Sequence, residues 1–79
     1  MSPAVLRSGP CRFYFVSHDL NEPPHVHIDG DAFPVKFWLE PVALVYNLGF
    51  PARELRKLEA LTAENQKELL EAWNEYFGT

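Results

Sequence analysis

The hydrophobic period of this chain changes once, and that change limits the folds open to it. Residues 25–29 (HVHID) and 32–39 (AFPVKFWL) alternate apolar and polar side chains, the two-residue period of a strand with one buried face. From Pro51 onward, Leu55, Leu58, Thr62, Asn65, Leu69, Trp73 and Tyr76 recur at steps of three and four. That is a single helical stripe, and Leu61, Leu70 and Phe77 widen it. Strands followed by helices is the pattern of an α+β fold. With 79 residues the chain has room for one domain and too few for two.

The expected architecture is a small three-stranded antiparallel sheet, β-β-β, followed by a short helix and a long C-terminal amphipathic helix or helix pair. Residues 1–11, with Pro3, Gly9 and Pro10, read as an irregular N-terminal arm. Residues 12–39 read as a β-meander. Its first strand is the aromatic and β-branched stretch 12–17 (RFYFVS), and 18–24 (HDLNEPP) is a turn-rich loop. Asp29-Gly30 is a two-residue hairpin signal that would pair Ile28 with Asp31, His27 with Ala32 and Val26 with Phe33. Cross-strand partners share a face, so Val26, Ile28, Phe33, Val35, Phe37 and Leu39 would point to the core. His25, His27, Asp29, Lys36 and Trp38 would point the other way. Pro34 cannot donate to a ladder, which predicts an edge for its strand.

Residues 41–48 (PVALVYNL) carry two signals. Their β-branched content suits a strand, whereas Pro41 at a first helical position and Gly49 as a stop suit a short helix, the reading preferred here. Over 51–77 the stripe leaves two outcomes open, one bent helix or two helices meeting near 62–65. Asn65 and Glu68 have the spacing of a capping box, although Asn replaces the usual Ser or Thr. In so small a chain large rings supply much of the buried area, and Phe13, Phe15, Phe33, Phe37, Phe50, Trp73 and Phe77 are the candidates.

Charge excludes some functions. The net charge is −4, and neither half of the chain is a polycation. Nucleic-acid binding by this chain alone is therefore disfavoured, because phosphate neutralisation needs clustered Lys and Arg. One local group, Arg53, Arg56 and Lys57, falls near one face of the helix. It reads either as a small anion- or partner-docking patch or as a solvated face paired with Glu54, Glu59 and Glu64. The lone Cys11 has no disulfide partner, MSPAVLRSGP has no signal-peptide apolar run, and no apolar stretch approaches 18 residues. The expectation is a cytoplasmic protein with no membrane segment.

All three histidines lie within ten residues, at 18, 25 and 27. On a strand, His25 and His27 project from one face with Asp29 next in line. Neighbouring imidazoles on one face can converge on a divalent transition metal such as zinc. A third ligand would come from His18, Asp19, Glu22 or Asp29, and Glu22 could act as base for a bound water. The plain alternative is that an outward face must be polar and His, His and Asp satisfy that with no metal. Trp38 on the same face marks either an interface or a ring covered by neighbouring chain. There is no Gly-rich phosphate loop, Gly-x-Ser-x-Gly or Cys-x-x-Cys.

Several segments in order carry a resemblance. They are Arg12-Phe13-Tyr14-Phe15, Asn21-Glu22-Pro23-Pro24-His25-Val26-His27 and Lys36-Phe37-Trp38-Leu39 with Pro41-Val42. Gly49-Phe50 with Glu54-Leu55 and Leu69-Leu70-Glu71-Ala72-Trp73 with Tyr76-Phe77-Gly78 complete the set. Together they resemble the small bacterial domain-of-unknown-function family 4160 over nearly the whole chain. The resemblance implies a short bacterial protein, often encoded beside domain-of-unknown-function family 2442 in what looks like a toxin–antitoxin operon. It transfers no catalytic role to His25 or His27. It favours a protein-interaction or regulatory module that binds a small partner protein from a neighbouring gene. The competing reading is a metal-binding protein or metal-dependent hydrolase or nuclease built on the His-x-His strand. A homodimer would be a natural way for so small a core to hide remaining apolar surface.

Overall fold

The computed structural model describes residues 4–17, 19, 21–30 and 34–78. Its strands are β1 (Ala4–Ser8), β2 (Cys11–Tyr14), β3 (His25–Asp29), β4 (Val35–Leu39) and β5 (Val42–Asn47), followed by helices α1 (Ala52–Glu64) and α2 (Gln66–Phe77). The strands form one antiparallel sheet in sequence order. The α+β order of elements is as expected, but the three-stranded sheet is corrected to five strands, by one strand at each end.

Both corrections have local causes. The arm expected over 1–11 contains β1, which pairs Ser8 with Cys11 across Gly9-Pro10. Gly9, at φ 58°, takes the first central position of this two-residue loop, where primed hairpin turns need a positive φ. Residues 41–48 are not a helix. Leu39 pairs with Val42, so Glu40 and Pro41, joined by a cis peptide bond, fill a second two-residue loop. Pro41 lies outside the ladder, where its missing N–H leaves no partner unpaired. Val42, Val45 and Tyr46 then follow their β-branched and aromatic preference. A bulge interrupts β5 at Val45, between the pairs Lys36–Tyr46 and Phe37–Leu44.

The β3–β4 register also differs from expectation. Ile28 pairs with Val35 rather than Asp31, His27 with Lys36, Val26 with Phe37 and His25 with Trp38. The connection is longer than two residues, and Val35 stands where Asp31 was expected, four positions on. An even slip keeps each side chain on its face, so the division into an apolar and a polar face survives. Pro34 precedes β4 and its carbonyl accepts the Leu48 N–H at 3.3 Å. β4 is interior, between β3 and β5, and β1 and β5 are the edges. Phe33 lies outside the described residues.

The helices cover the apolar face. Phe13, Phe15, Val26, Ile28, Val35, Phe37 and Leu39 are fully buried and cluster with Leu58, Leu69 and Trp73. Each such side chain contributes about 1.5–3 kcal/mol relative to exposure. Phe50 and Phe77 pack at the margin of this cluster. Phe15 meets the edge of Trp73 at 5.4 Å and of Tyr76 at 5.7 Å between ring centroids. Asn47 shapes the turn into α1 by accepting the Gly49 and Phe50 N–H groups and donating to the Phe50 carbonyl.

The C-terminal region is two helices. Asn65, at φ −107° and ψ 15°, ends α1 and begins α2. Its side chain does not cap α2; Nδ2 donates instead to the Leu61 carbonyl at 2.8 Å. Buried Thr62 donates to the Leu58 carbonyl, which satisfies its hydroxyl inside the core. Among the described residues no helix is long and apolar enough to cross a membrane.

Candidate metal centre

The face of the sheet turned away from the helices carries Arg12 and Tyr14 from β2, His25, His27 and Asp29 from β3, Lys36 and Trp38 from β4, and Tyr46 from β5. Strand alternation puts them there, and the registers align Tyr14, His27, Lys36 and Tyr46 in one row. A sheet face opposite the packed helices is ordinarily wet. Its centre here is not: His25 is 0% exposed, and His27 and Lys36 are also buried, while Arg12, Tyr14, Asp29, Trp38 and Tyr46 around them are half-buried. Solvated surface histidines are therefore not what the strand presents.

Their cover comes from the segment between β2 and β3 and, at His25, also from Trp73 of α2. After Phe15 the chain makes two consecutive turns, with the Asp19 N–H donating to the Val16 carbonyl and the Glu22 N–H to the Asp19 carbonyl, each at 3.1 Å. The turns carry Asp19 and Glu22 over the face. They bring Asp19 Oδ2 to 2.8 Å from His25 Nε2 and to 2.8 Å from His27 Nε2. Glu22 reaches the Lys36 ammonium. Pro23 and Pro24 then lead into β3, and the Pro24 carbonyl accepts the Leu39 N–H at 3.0 Å.

Each ring is held by its surroundings. His25 Nδ1 faces the Pro23 carbonyl at 2.9 Å, and its ring lies against Trp38 and Trp73 with centroids at 5.8 and 5.0 Å. His27 stacks on Tyr14 at 5.4 Å with 22° between the planes. The Arg12 guanidinium covers the same tyrosine at 4.7 Å and pairs with Asp29 at 3.5 Å. Lys36 Nζ sits 5.1 Å from the centre of the Trp38 ring. Burial pushes the Tyr14 hydroxyl pKa up, and the nearby Asp29 and Tyr46 charges add to it.

The proton inventory at His25 limits what can occupy this site. Burial pushes the Asp19 carboxyl up, but hydrogen bonds from His27 and His25 and their positive charge outweigh it, leaving the pKa below the ordinary value. Asp19 is then an ionised acceptor. The Pro23 carbonyl is also only an acceptor. His25 is thus flanked by acceptors at both nitrogens, and a neutral imidazole has one N–H. The contact at Nε2 is completed by a second proton or by another Lewis acid in its place. A ring whose far nitrogen donates to a backbone carbonyl is the usual posture of a metal-ligating histidine.

The donor atoms of Asp19, His25 and His27 all lie within 4.8 Å of one another. Tetrahedral ligands at zinc distances are about 3.3 Å apart, so the two 2.8 Å contacts must open by about 0.5 Å to admit an ion. Turning the Asp19 carboxylate supplies that. Two imidazoles and a carboxylate suit zinc and its neighbours, and three protein ligands leave a fourth position free.

Of the residues singled out by sequence, His25 and His27 come together, and Asp19 is the third-ligand candidate that joins them. Asp29 shares their face but pairs with Arg12. Glu22 is engaged by Lys36, and its nearer carboxylate oxygen lies 3.9 Å from His25 Nδ1, not beside Nε2. His18 lies outside the described residues. Trp38 is half-buried between His25 and Lys36. Arg53, Arg56 and Lys57 are exposed on α1, and Lys57 lies 3.7 Å from Glu54. Sequence reasoning missed Tyr14 and Arg12. Their alternation with buried Phe13 was the available signal, but assigning them to the histidine face also needs the β2–β3 register.

A family model, Domain of unknown function (DUF4160), matches residues 11–74. No curated protein and no solved structure matches the chain.

Proposed function

The chain belongs to the DUF4160 family, and from that premise we propose that it is a metal-binding protein whose ion, zinc or a similar divalent transition metal, is held by Asp19, His25 and His27. One observation carries the reading: His25 Nδ1 is committed to a backbone carbonyl while its Nε2 and that of His27 converge on a single carboxylate oxygen. A bound ion would stand between the two Nε2 atoms and the Asp19 carboxylate. The fourth position would open toward solvent past Asp19 and His27, the less buried members of the three. Water bound there would become a stronger acid. Glu22 faces Lys36 rather than this position, so the arrangement supports metal binding more directly than hydrolysis.

Elemental analysis of tag-free protein and calorimetric titration with zinc test the reading. The expected result is one equivalent bound, with affinity lowered at least tenfold in Asp19→Asn and in His27→Gln. Zinc at a hundred times Kd should stabilise the wild-type fold by about 2.7 kcal/mol. Absence of stoichiometric metal together with an unchanged melting temperature would overturn it.

A second reading, an interaction module for a small partner protein, is favoured by a different observation. Leu44, Val45 and Leu48 are exposed, at 44%, 36% and 59%, on edge strand β5 and just beyond it. No charged residue interrupts positions 41–52. Exposed apolar side chains on an uncharged edge suit a protein contact, and the solvent-facing Arg53, Arg56 and Lys57 lie on α1, which packs beside β5. Co-expression with the product of a neighbouring gene and size-exclusion chromatography test it. Elution of the two proteins apart would count against it.

A further inference from the structure

We infer that Lys36 and Glu22 are positioning residues for the Asp19–His25–His27 site: their ion pair clamps the turn that joins Asp19 to Glu22 onto the sheet and so fixes the third ligand. This rests on the metal reading for its affinity readout, but the clamp itself has a metal-free readout.

Lys36 is 8% exposed, on the interior strand β4, directly across from His27. A buried ammonium needs a partner, and Glu22 is the carboxylate it meets. Glu22 is also the far end of the turn that begins at Asp19, through its N–H bond to the Asp19 carbonyl. Immediately after it, the Pro23 and Pro24 carbonyls are tied to His25 Nδ1 and to the Leu39 N–H. Among the described residues, Asp19 itself is hydrogen-bonded to the sheet through the two imidazoles with which it would share the ion. The lysine–glutamate pair is therefore the nearest anchor of that turn independent of the metal ligands. Outer-shell partners of this kind typically set metal affinity by about 10–100-fold.

Charge alone predicts the opposite sign. An ammonium beside a cation site repels the cation, so removing it should tighten binding if Lys36 acts only through its charge. The test is calorimetric zinc titration of wild type, Lys36→Met, Glu22→Gln and the double variant, under conditions where urea unfolding shows each to be folded. Weaker binding by about tenfold or more is expected for each single variant, with the double variant no weaker than the worse single. Tighter binding by Lys36→Met, or a double variant that returns to wild-type affinity because two opposite charges were removed, would overturn the clamp.

Glu22 is exposed, so Glu22→Gln keeps the test alive through the metal-free arm if Lys36→Met fails to fold. The metal-free arm is NMR of the apo protein. The Glu22 amide, which donates to the Asp19 carbonyl, and the Leu39 amide, which donates to the Pro24 carbonyl, should exchange with water faster in Glu22→Gln than in wild type. If wild type takes up no zinc, the metal reading falls, and this exchange still decides the clamp: unchanged rates refute it.

Discussion

At His25, His27 and Lys36 the polar face of the sheet is buried about as deeply as the apolar face, but by different means. On the helix side, Val26, Ile28, Val35, Phe37 and Leu39 are covered by Leu58, Leu69 and Trp73. On the other, His25, His27 and Lys36 are covered by a short irregular segment carrying Asp19 and Glu22, with Trp73 also against His25. The apolar side works by volume, and many side chains of similar size could fill it. The polar side works by pairing. Each buried donor there has a named acceptor, and no buried side-chain nitrogen or oxygen among the described residues lacks a hydrogen-bond partner. Burial that depends on matching partners tolerates little substitution, which is why this side is the better place to look for chemistry.

Substitutions that separate the two modes should differ in size and in kind. Phe37→Ala opens a cavity under the helices and should cost about 3–5 kcal/mol in urea unfolding. If it costs under about 1 kcal/mol, the helix side is not the main core. Asp19→Ala removes the shared acceptor and leaves the His25 Nε2 group buried; about 1–3 kcal/mol is expected in metal-free protein. A neutral result there would mean that water replaces the carboxylate and that the polar side is covered only loosely.

The same contact carries a pH signature. The folded-state pKa of Asp19 lies below its ordinary value, so its stabilisation is fully present above the unfolded carboxylate pKa of about 3.9 and is lost as pH falls through the folded value. In metal-free protein the stability gap between wild type and Asp19→Asn should narrow as pH is lowered below about 4. A gap constant across that range would show that the carboxylate's charge plays no part. The smallest effect belongs to the edge: Leu44→Lys should change monomer stability by no more than about 0.5 kcal/mol, while reducing any association seen by sedimentation.

How far the sequence revealed all this depended on whether a property was local. The faces of β3 and β4 were legible because parity alone sets them, and parity survived a four-residue change of register. The register was not legible, because Asp29-Gly30 looks like a complete turn and the true connection runs on to Pro34. Pro41 misled for a related reason. It fits a helix start and a hairpin loop equally well, and only its position between Leu39 and Val42 in the ladder decides. Gly9-Pro10 hid β1 in the same way. In the site, sequence alone brought His25 and His27 to one side of a strand. It offered four candidates for the third position and could not choose, because Asp19 arrives through two turns and a fold-back that no spacing encodes. The pairing of Lys36 with Glu22 spans fourteen residues and was invisible for the same reason.

Leu39 gives the architecture a single point of accountability. Its N–H is taken by the Pro24 carbonyl at the end of the fold-back segment, and its carbonyl by the Gln66 side chain at the start of α2, 2.7 Å away. One residue thus joins the covering loop, the sheet and the second helix. Slow deuterium uptake at this amide would show that the covering loop stays docked on the sheet, and its release would mark the moment the loop lets go.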